Sequence, residues 1–346
     1  MRTRALRMRT RGAQRGAACV AVRVTVRVAV RMAMACLLLG SLVHAAEPSA
    51  PVPVAAAAAV NADKAMILGL ARAGKAIVGV GDHGIVLRSE DDGASFRQAG
   101  SVPVSSLLTA VGFVDDRHGW AVGHWGAILA TEDGGKSWRV QRLDTAEDRP
   151  LFAVHFLDAQ RGVAVGLWSL VLTTADGGKS WQQRELAPPP GAKRADLNLQ
   201  ALFADDKGTL YAAAERGYVL RSEDAGASWS YLATGYNGSF WSGIALSPEV
   251  LLVGGQRGNV YRSSDGGQSW KRVDIGSQSS VTGFARKGQA VLAVGLDGLQ
   301  AVSHDGGASF TPALRTDRLS LTAALDAGDG TWITASRAGV FREPLK

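Results

Sequence analysis

Cysteine is almost missing from this chain of 346 residues. Its two copies, Cys19 and Cys36, both precede residue 46. The rest of the chain can form no disulfide and offers no thiolate as nucleophile or metal ligand. A long apolar run is missing too: Met32–Ala45, MAMACLLLGSLVHA, is too short to span a bilayer stably. Acidic residues are absent from the first 46 positions, which hold nine Arg. Setting those nine aside from the 38 basic residues leaves 29 against 31 acidic, a balance of about −2 in place of the formal +7. A nucleic-acid binder needs its positive charge on the folded domain, so nucleic acid is discounted as a partner.

The leader reads as an export signal. An Arg-rich start, an apolar run and the small-residue site Val43-His44-Ala45 have the three parts of a secretory signal peptide. Residues 1–45 are therefore expected to be removed after Ala45, leaving a periplasmic or secreted protein. VAVRVTVRVAVR at 20–31 either lengthens the positive region or lies upstream of the true start. Residues 46–63 are an Ala/Pro-rich linker, and 64–346 form the remaining domain.

What the chain has in quantity is Gly, with 42 copies, and Trp, with nine. Both fit a turn-rich β protein with aromatic anchors. Six octets share one pattern: SEDDGASF (89–96), TEDGGKSW (131–138), TADGGKSW (174–181), SEDAGASW (222–229), SSDGGQSW (263–270) and SHDGGASF (303–310). Their third-position acids are Asp91, Asp133, Asp176, Asp224, Asp265 and Asp305, spaced 40 to 48 residues apart. Fixed-period self-similarity of this length marks a repeat architecture. Before each octet stand three short apolar runs, and after it a short polar one. Four strands per 40–45 residues is the content of a propeller blade. The reading is all-β: a seven-bladed β-propeller with four antiparallel strands per blade. The seventh unit, 321–343, has no octet and no fourth strand. Residues 52–60 are expected to supply that strand and close the ring; the alternative is an open last blade.

Every part of the octet has a structural role. The Asp can accept bonds from N–H groups of its own turn, and the fifth-position Gly permits positive φ. The closing aromatic, Trp138, Trp181, Trp229 or Trp270 in four copies, can bury a large surface. A calcium loop would need more oxygen ligands and a Glu at the twelfth position, so the octets are read as scaffold and no metal or cofactor is expected.

Octets between third and fourth strands place the turns between second and third strands on the opposite face. Those turns are GDHG (81–84), GHWG (123–126), GLWS (166–169), AERG (214–217), GQRG (255–258), GLDG (295–298) and SRAG (336–339). The frame is constant and the insert varies, as in a binding surface on a scaffold. The candidate partner-binding residues are His83, His124, Trp125, Trp168, Arg216, Arg257, Asp297 and Arg337. Aromatic and His residues fall on blades one to three and Arg on four, five and seven. That division suits a polypeptide with apolar and acidic groups. Lys193 and Arg194 flank the same face. No catalytic residue is assigned. A sialidase-like site would need a Tyr nucleophile with a Glu partner and a third acid, and Tyr218 with Glu215 is the nearest approach. Asp82 and Asp297 stand too far apart for a carboxylate pair. His83 and His124 lack a third ligand.

The octet resembles the Asp-box of the BNR-type propellers. The unit GWAVGHWGAILATEDGGKSW (119–138) resembles, more narrowly, that of the photosystem II stability/assembly factors, over about residues 64–344. Val-Gly at the end of the second strand recurs at 80–81, 122–123, 165–166, 253–254 and 294–295. The resemblance implies a non-enzymatic propeller that binds a protein subunit of a membrane or envelope complex during its assembly. Members of that group use a basic patch, for which Arg216, Arg257 and Arg337 are the nearest counterparts by position. The alternative is a sialidase-like glycoside hydrolase or a glycan-binding propeller.

Overall fold

The computed structural model describes residues 53–344. The leader, its cleavage site and both cysteines lie outside them. Six four-stranded antiparallel sheets and one three-stranded sheet follow each other along the chain, each built from consecutive strands. These are blades 1 (67–98), 2 (108–142), 3 (151–184), 4 (199–233), 5 (240–273), 6 (281–314) and 7 (321–344).

Each blade's inner strand packs beside that of the next, and blade 7 returns to blade 1. The core is accordingly a set of apolar layers between neighbouring blades. One joins Trp120, Val122 and Ile128 of blade 2 to Leu151, Phe156 and Leu172 of blade 3. Second strands are buried along their whole length in blades 1 to 5, as in Gly119–Gly123 and Gly162–Gly166, and in all but their first residue in blades 6 and 7. A strand covered on both faces reads as a continuous apolar run without alternation, which explains the repeated small-residue and Val pattern. The closing Gly of that run is required by space. A Cβ at Gly123 would stand 2.1 Å from the Leu107 carbonyl oxygen, and Gly81, Gly166, Gly255 and Gly295 meet the chain in the same way.

The Asp-boxes join third to fourth strands and latch back on their own blade. In blade 2 the Gly134 N–H donates to the Arg117 carbonyl, in the turn between first and second strands. Side chains of the preceding blade reach the same spot: Arg88 Nε donates to Gly134 O, Gln141 Nε2 to Gly177 O and Arg262 Nε to Gly306 O.

Ring closure differs from the expectation. The last sheet has three strands, Leu321–Asp326, Thr331–Ser336 and Gly339–Pro344. The segment 53–60 is not its fourth: it lies along the outer side of blade 1, where Ala56 N donates to Val102 O, and Gln98 bonds Ala57 O and Ala59 N. Its Ala-rich sequence has little β-propensity, which is the physical reason no strand forms. Closure is by docking. Thr322 Oγ1 donates to Ile67 O (2.5 Å), Arg72 donates twice to Asp326 O (2.7 and 3.1 Å), and Ile67, Ile77 and Leu87 pack with Ile333 and Ala335. The outer strand Gly339–Pro344, an edge among the described residues, is guarded by charge: Arg342 pairs with Asp329, and Glu343 with Arg315 and Gln300. Charged edges of this kind discourage strand addition.

Candidate functional site

The octets are a closed hydrogen-bond unit. In blade 2, Thr131 Oγ1 donates to Asp133 (2.8 Å) and accepts from Gly135 N (2.9 Å). Asp133 then accepts from Lys136 N, Ser137 N and Ser137 Oγ at 3.0, 3.0 and 2.5 Å. The fifth-position glycines all have φ between 78 and 89°, where a Cβ would be strained. Serine hydroxyls at position seven, helped by the backbone, hold Asp91, Asp176 and Asp265 down at about 2, and push Asp305 below its ordinary range as well. Trp138, Trp229 and Trp270 donate their indole N–H to the Gly carbonyl three residues back. Trp181 instead sets its ring edge-on to Phe156 at 5.8 Å. These groups are committed to the turn.

The turns between second and third strands lie on the other face, together with the connections between blades. His124 N donates to Leu107 O, Leu167 N to Pro150 O, Gln256 N to Ser239 O and Leu296 N to Ser280 O. In each turn the following residue projects outward with a left-handed backbone. Ten non-glycine residues among those described have such φ, and six are His83, Trp125, Trp168, Arg216, Arg257 and Asp297, at 51 to 60°. Bulky side chains are uncommon there, and glycine would be the relaxed choice. Strained positions of this type gather at functional sites.

The strain is held in place by the next blade. Asp148 accepts from Trp125 N (2.7 Å) and from His124 Nδ1 (2.9 Å). Asn198 Oδ1 accepts from Trp168 N (3.1 Å), while Glu215 in turn binds Asn198 N and Nδ2, both at 3.0 Å. Ser280 accepts from Arg257 N, and Ser320 from Asp297 N. Arg149 bonds the carbonyls of Leu167 and Trp168. Apart from Glu215, which the sequence marked only as a neighbour of Tyr218, these supporting residues did not stand out, since they sit in connections of unequal length.

Trp168 is 52% exposed and Trp125 36%. Beside Trp125 runs a groove of about 340 Å³, walled by Val54, Val104 and Leu143. The two histidines are separate, each against its own carboxylate, Asp82 for His83 and Asp148 for His124. Among the described residues, no group of three or more His, Cys, Asp or Glu could hold a metal ion. Arg216 is paired with Asp196 at 3.3 Å, and Asp297 accepts from Ser279 Oγ. Glu215 spends both carboxylate oxygens on Asn198, and Tyr218 packs edge-on against Tyr231 at 5.5 Å. Arg337 is exposed but not equivalent to the other six. Blade 7 turns through Arg337-Ala338, and its left-handed residue is Gly339, at φ 108°. Exposed Arg318, at φ 55° in the connection to blade 7, joins Arg257 and Arg337 on this side; the sequence reading passed over it.

Seven blades, Asp-boxes fastening one face and side chains projected from the other define an Asp-box β-propeller. The family model for the photosynthesis system II assembly factor YCF48 matches residues 93–153 and 147–315. The chain belongs to that family. A solved structure of YCF48 bound to D1 peptide has a TM-score of 0.67 at 17% identity, covering 86% of this chain and 100% of that one. YCF48 from Cyanidioschyzon merolae has a TM-score of 0.65 at 16% identity, covering 81% and 95%. At such identities the likeness is one of fold. No curated protein matches the chain.

Proposed function

We propose that this propeller is an exported, non-enzymatic assembly factor that binds a polypeptide of a membrane or envelope complex on the face bearing Trp125, Trp168 and Arg257. The observation that carries the reading is the set of six left-handed turn residues, five of them large or cationic; four of them, Trp125, Trp168, Arg257 and Asp297, have their N–H bonded by the connection to the next blade. Rigid aromatic and Arg side chains are the usual anchors of protein interfaces. The solved YCF48 bound to D1 peptide supports a polypeptide partner. On one side Trp125 and Trp168 are exposed, with Asp144 and Asp148 bonded to the backbone of Trp125; on the other Arg257, Arg318 and Arg337 are exposed. A partner with an apolar centre and charges of both signs matches that division.

The test is capture from envelope extracts by tagged protein, with the captured subunit identified by mass spectrometry. Arg257→Glu with Arg337→Glu is expected to abolish capture with the melting temperature unchanged. Undiminished capture would remove the basic side from the site. Fluorogenic sialosides and glycosides are expected to give no turnover; turnover lost in Arg216→Ala would replace this reading with a glycosidase. Export is tested by sequencing the N-terminus of the mature protein, which is expected to begin at Ala46. A mature chain retaining Met1 overturns the export reading.

A further inference from the structure

Asparagine is scarce: the chain has four, at 61, 198, 237 and 259. One of them precedes glycine, in Tyr236-Asn237-Gly238-Ser239, the connection from blade 4 to blade 5. Asn237 is exposed, and its backbone belongs to no strand or helix. The bonds of this segment run from Tyr236 N to Thr234 Oγ1, from Tyr236 Oη to Gln256 O and from Asn259 Nδ2 to Tyr236 Oη. Among the described residues none involves the Asn237 side chain or the Gly238 N–H. The other three differ. Asn198 uses both ends of its amide, Asn259 Nδ2 donates to the Gln256 carbonyl, and Asn61 precedes alanine, whose Cβ crowds the amide nitrogen.

An unbonded Asn before Gly carries chemistry of its own. With no Cβ at 238 the backbone turns freely, and the Gly238 nitrogen reaches the side-chain carbonyl carbon of Asn237. That nitrogen loses its proton and bonds the carbon, ammonia leaves, and a cyclic succinimide closes. Water then opens the ring. Opening at the side-chain carbonyl gives aspartate; opening at the main-chain carbonyl gives isoaspartate, with the chain running through the side chain. The balance is amide plus water to carboxylate plus ammonium, with no oxidant or cofactor. The glycine itself is fixed by packing: a Cβ on residue 238 would lie 2.1 Å from the Tyr236 phenolic oxygen.

The place matters as much as the chemistry. Gly238 O accepts from Gly217 N (2.7 Å), and Ser239 O accepts from Gln256 N (3.2 Å). Gly217 follows Arg216, and Gln256 precedes Arg257. The two carbonyls after Asn237 thus hold the two turns that project these exposed arginines.

We propose that Asn237 is a self-modifying site, which converts with age to aspartate and isoaspartate and so weakens the hold of Arg216 and Arg257 on acidic groups. The new carboxylate stands beside two guanidinium groups and competes with an acidic partner for them. Isoaspartate also lengthens the backbone by one carbon directly before the carbonyls that hold both turns. The effect on binding rests on the reading that this face takes a polypeptide; the conversion does not.

The protein is incubated in mildly alkaline buffer and digested with trypsin, which releases Ser222–Arg257 with Asn237 as its sole asparagine. That peptide is expected to gain the mass of a deamidation, in separate aspartate and isoaspartate peaks, while peptides carrying the other three asparagines stay unchanged. Asn237→Gln is expected to stop the gain. A parallel incubation in urea gives the rate of the unfolded chain, and the folded rate is expected to lie within about tenfold of it, as for a segment that opens at little cost. Folded protein that keeps its amide while the urea sample converts would overturn the site, because the fold would then be shielding the pair. Binding is read with poly-L-glutamate at low salt, where surface charge is least screened. Asn237→Asp is expected to bind about two- to threefold more weakly than Asn237→Gln, the size of one exposed charge pair; equal binding would overturn the charge effect. Neither measurement uses the envelope subunit, so a failed capture and a failed conversion are told apart.

Discussion

At the scale of single residues, two kinds of side chain are set at a cost to the backbone or to a titration range. The box aspartates are the second kind. Asp91, Asp176 and Asp265 titrate at about 2 in the fold, against about 3.9 in an open chain. A carboxyl with a lowered folded value contributes its stability above the unfolded value and loses it as pH falls through the folded one. Urea midpoints are therefore expected to be flat above about pH 5 and to fall between about pH 4 and pH 2. A midpoint unmoved across that window would show that the boxes contribute nothing through their charge. Asp133→Ala removes the acceptor of four bonds and is expected to cost about 2 kcal/mol or more, read as a drop of about 5 °C in melting temperature with partner capture intact. The first kind is the projecting turn residue. Trp125→Gly places the residue that φ 60° favours, so stability is expected to hold within about 1 kcal/mol while capture falls. Loss of folding in this variant would mean that the indole serves the core.

At the scale of strands and turns, legibility follows locality. The octet was readable because the bonds of its Asp and of its first hydroxyl all lie within four residues, so each copy repeats in full. The face was readable because a turn on one end of a strand fixes the other end. What holds the face was not readable: Asn198, Ser280 and Ser320 stand one residue before their strands but Asp148 three before its own, and the residue type changes from blade to blade, so no motif joins all four. Each inner strand also bulges at its second residue, and this leaves a trace, since the inner strands open on ILG, LTA, LFA, LQA, FWS, VTG and LTA. The third residue is always small because inner strands nearly touch: a Cβ on Gly69 would lie 3.0 Å from the Ala110 backbone. The outer strand expected from 52–60 failed on propensity, as the Ala run forecasts. The docked seam can be probed directly. Thr322→Val deletes one buried-edge bond and is expected to cost about 1–2 kcal/mol; together with Arg72→Met the loss is expected to differ from the sum of the two, as contacts sharing one interface couple. Strict additivity in urea melts would show the two contacts to be independent.

At the scale of the whole molecule, each blade is made of consecutive residues and, among the described residues, none is assembled from both ends of the chain. A chain begun at residue 61 is therefore expected to melt within a few degrees of the longer one, having lost the bonds to Val102 and Gln98 and the packing of Ala56. A collapse of its melting transition would mean that 53–60 closes the ring after all. The docked seam between blades 7 and 1 has a further consequence. Contiguous blades keep pairing short in sequence, which favours quick, stepwise folding as a chain emerges. Only the last contact is distant, and it needs no threading of one end through the other. Such a ring has no privileged starting point. Joining its ends and cutting between any other two blades leaves every sheet whole, so circular permutants opened in the connections between blades should fold to the same molecule.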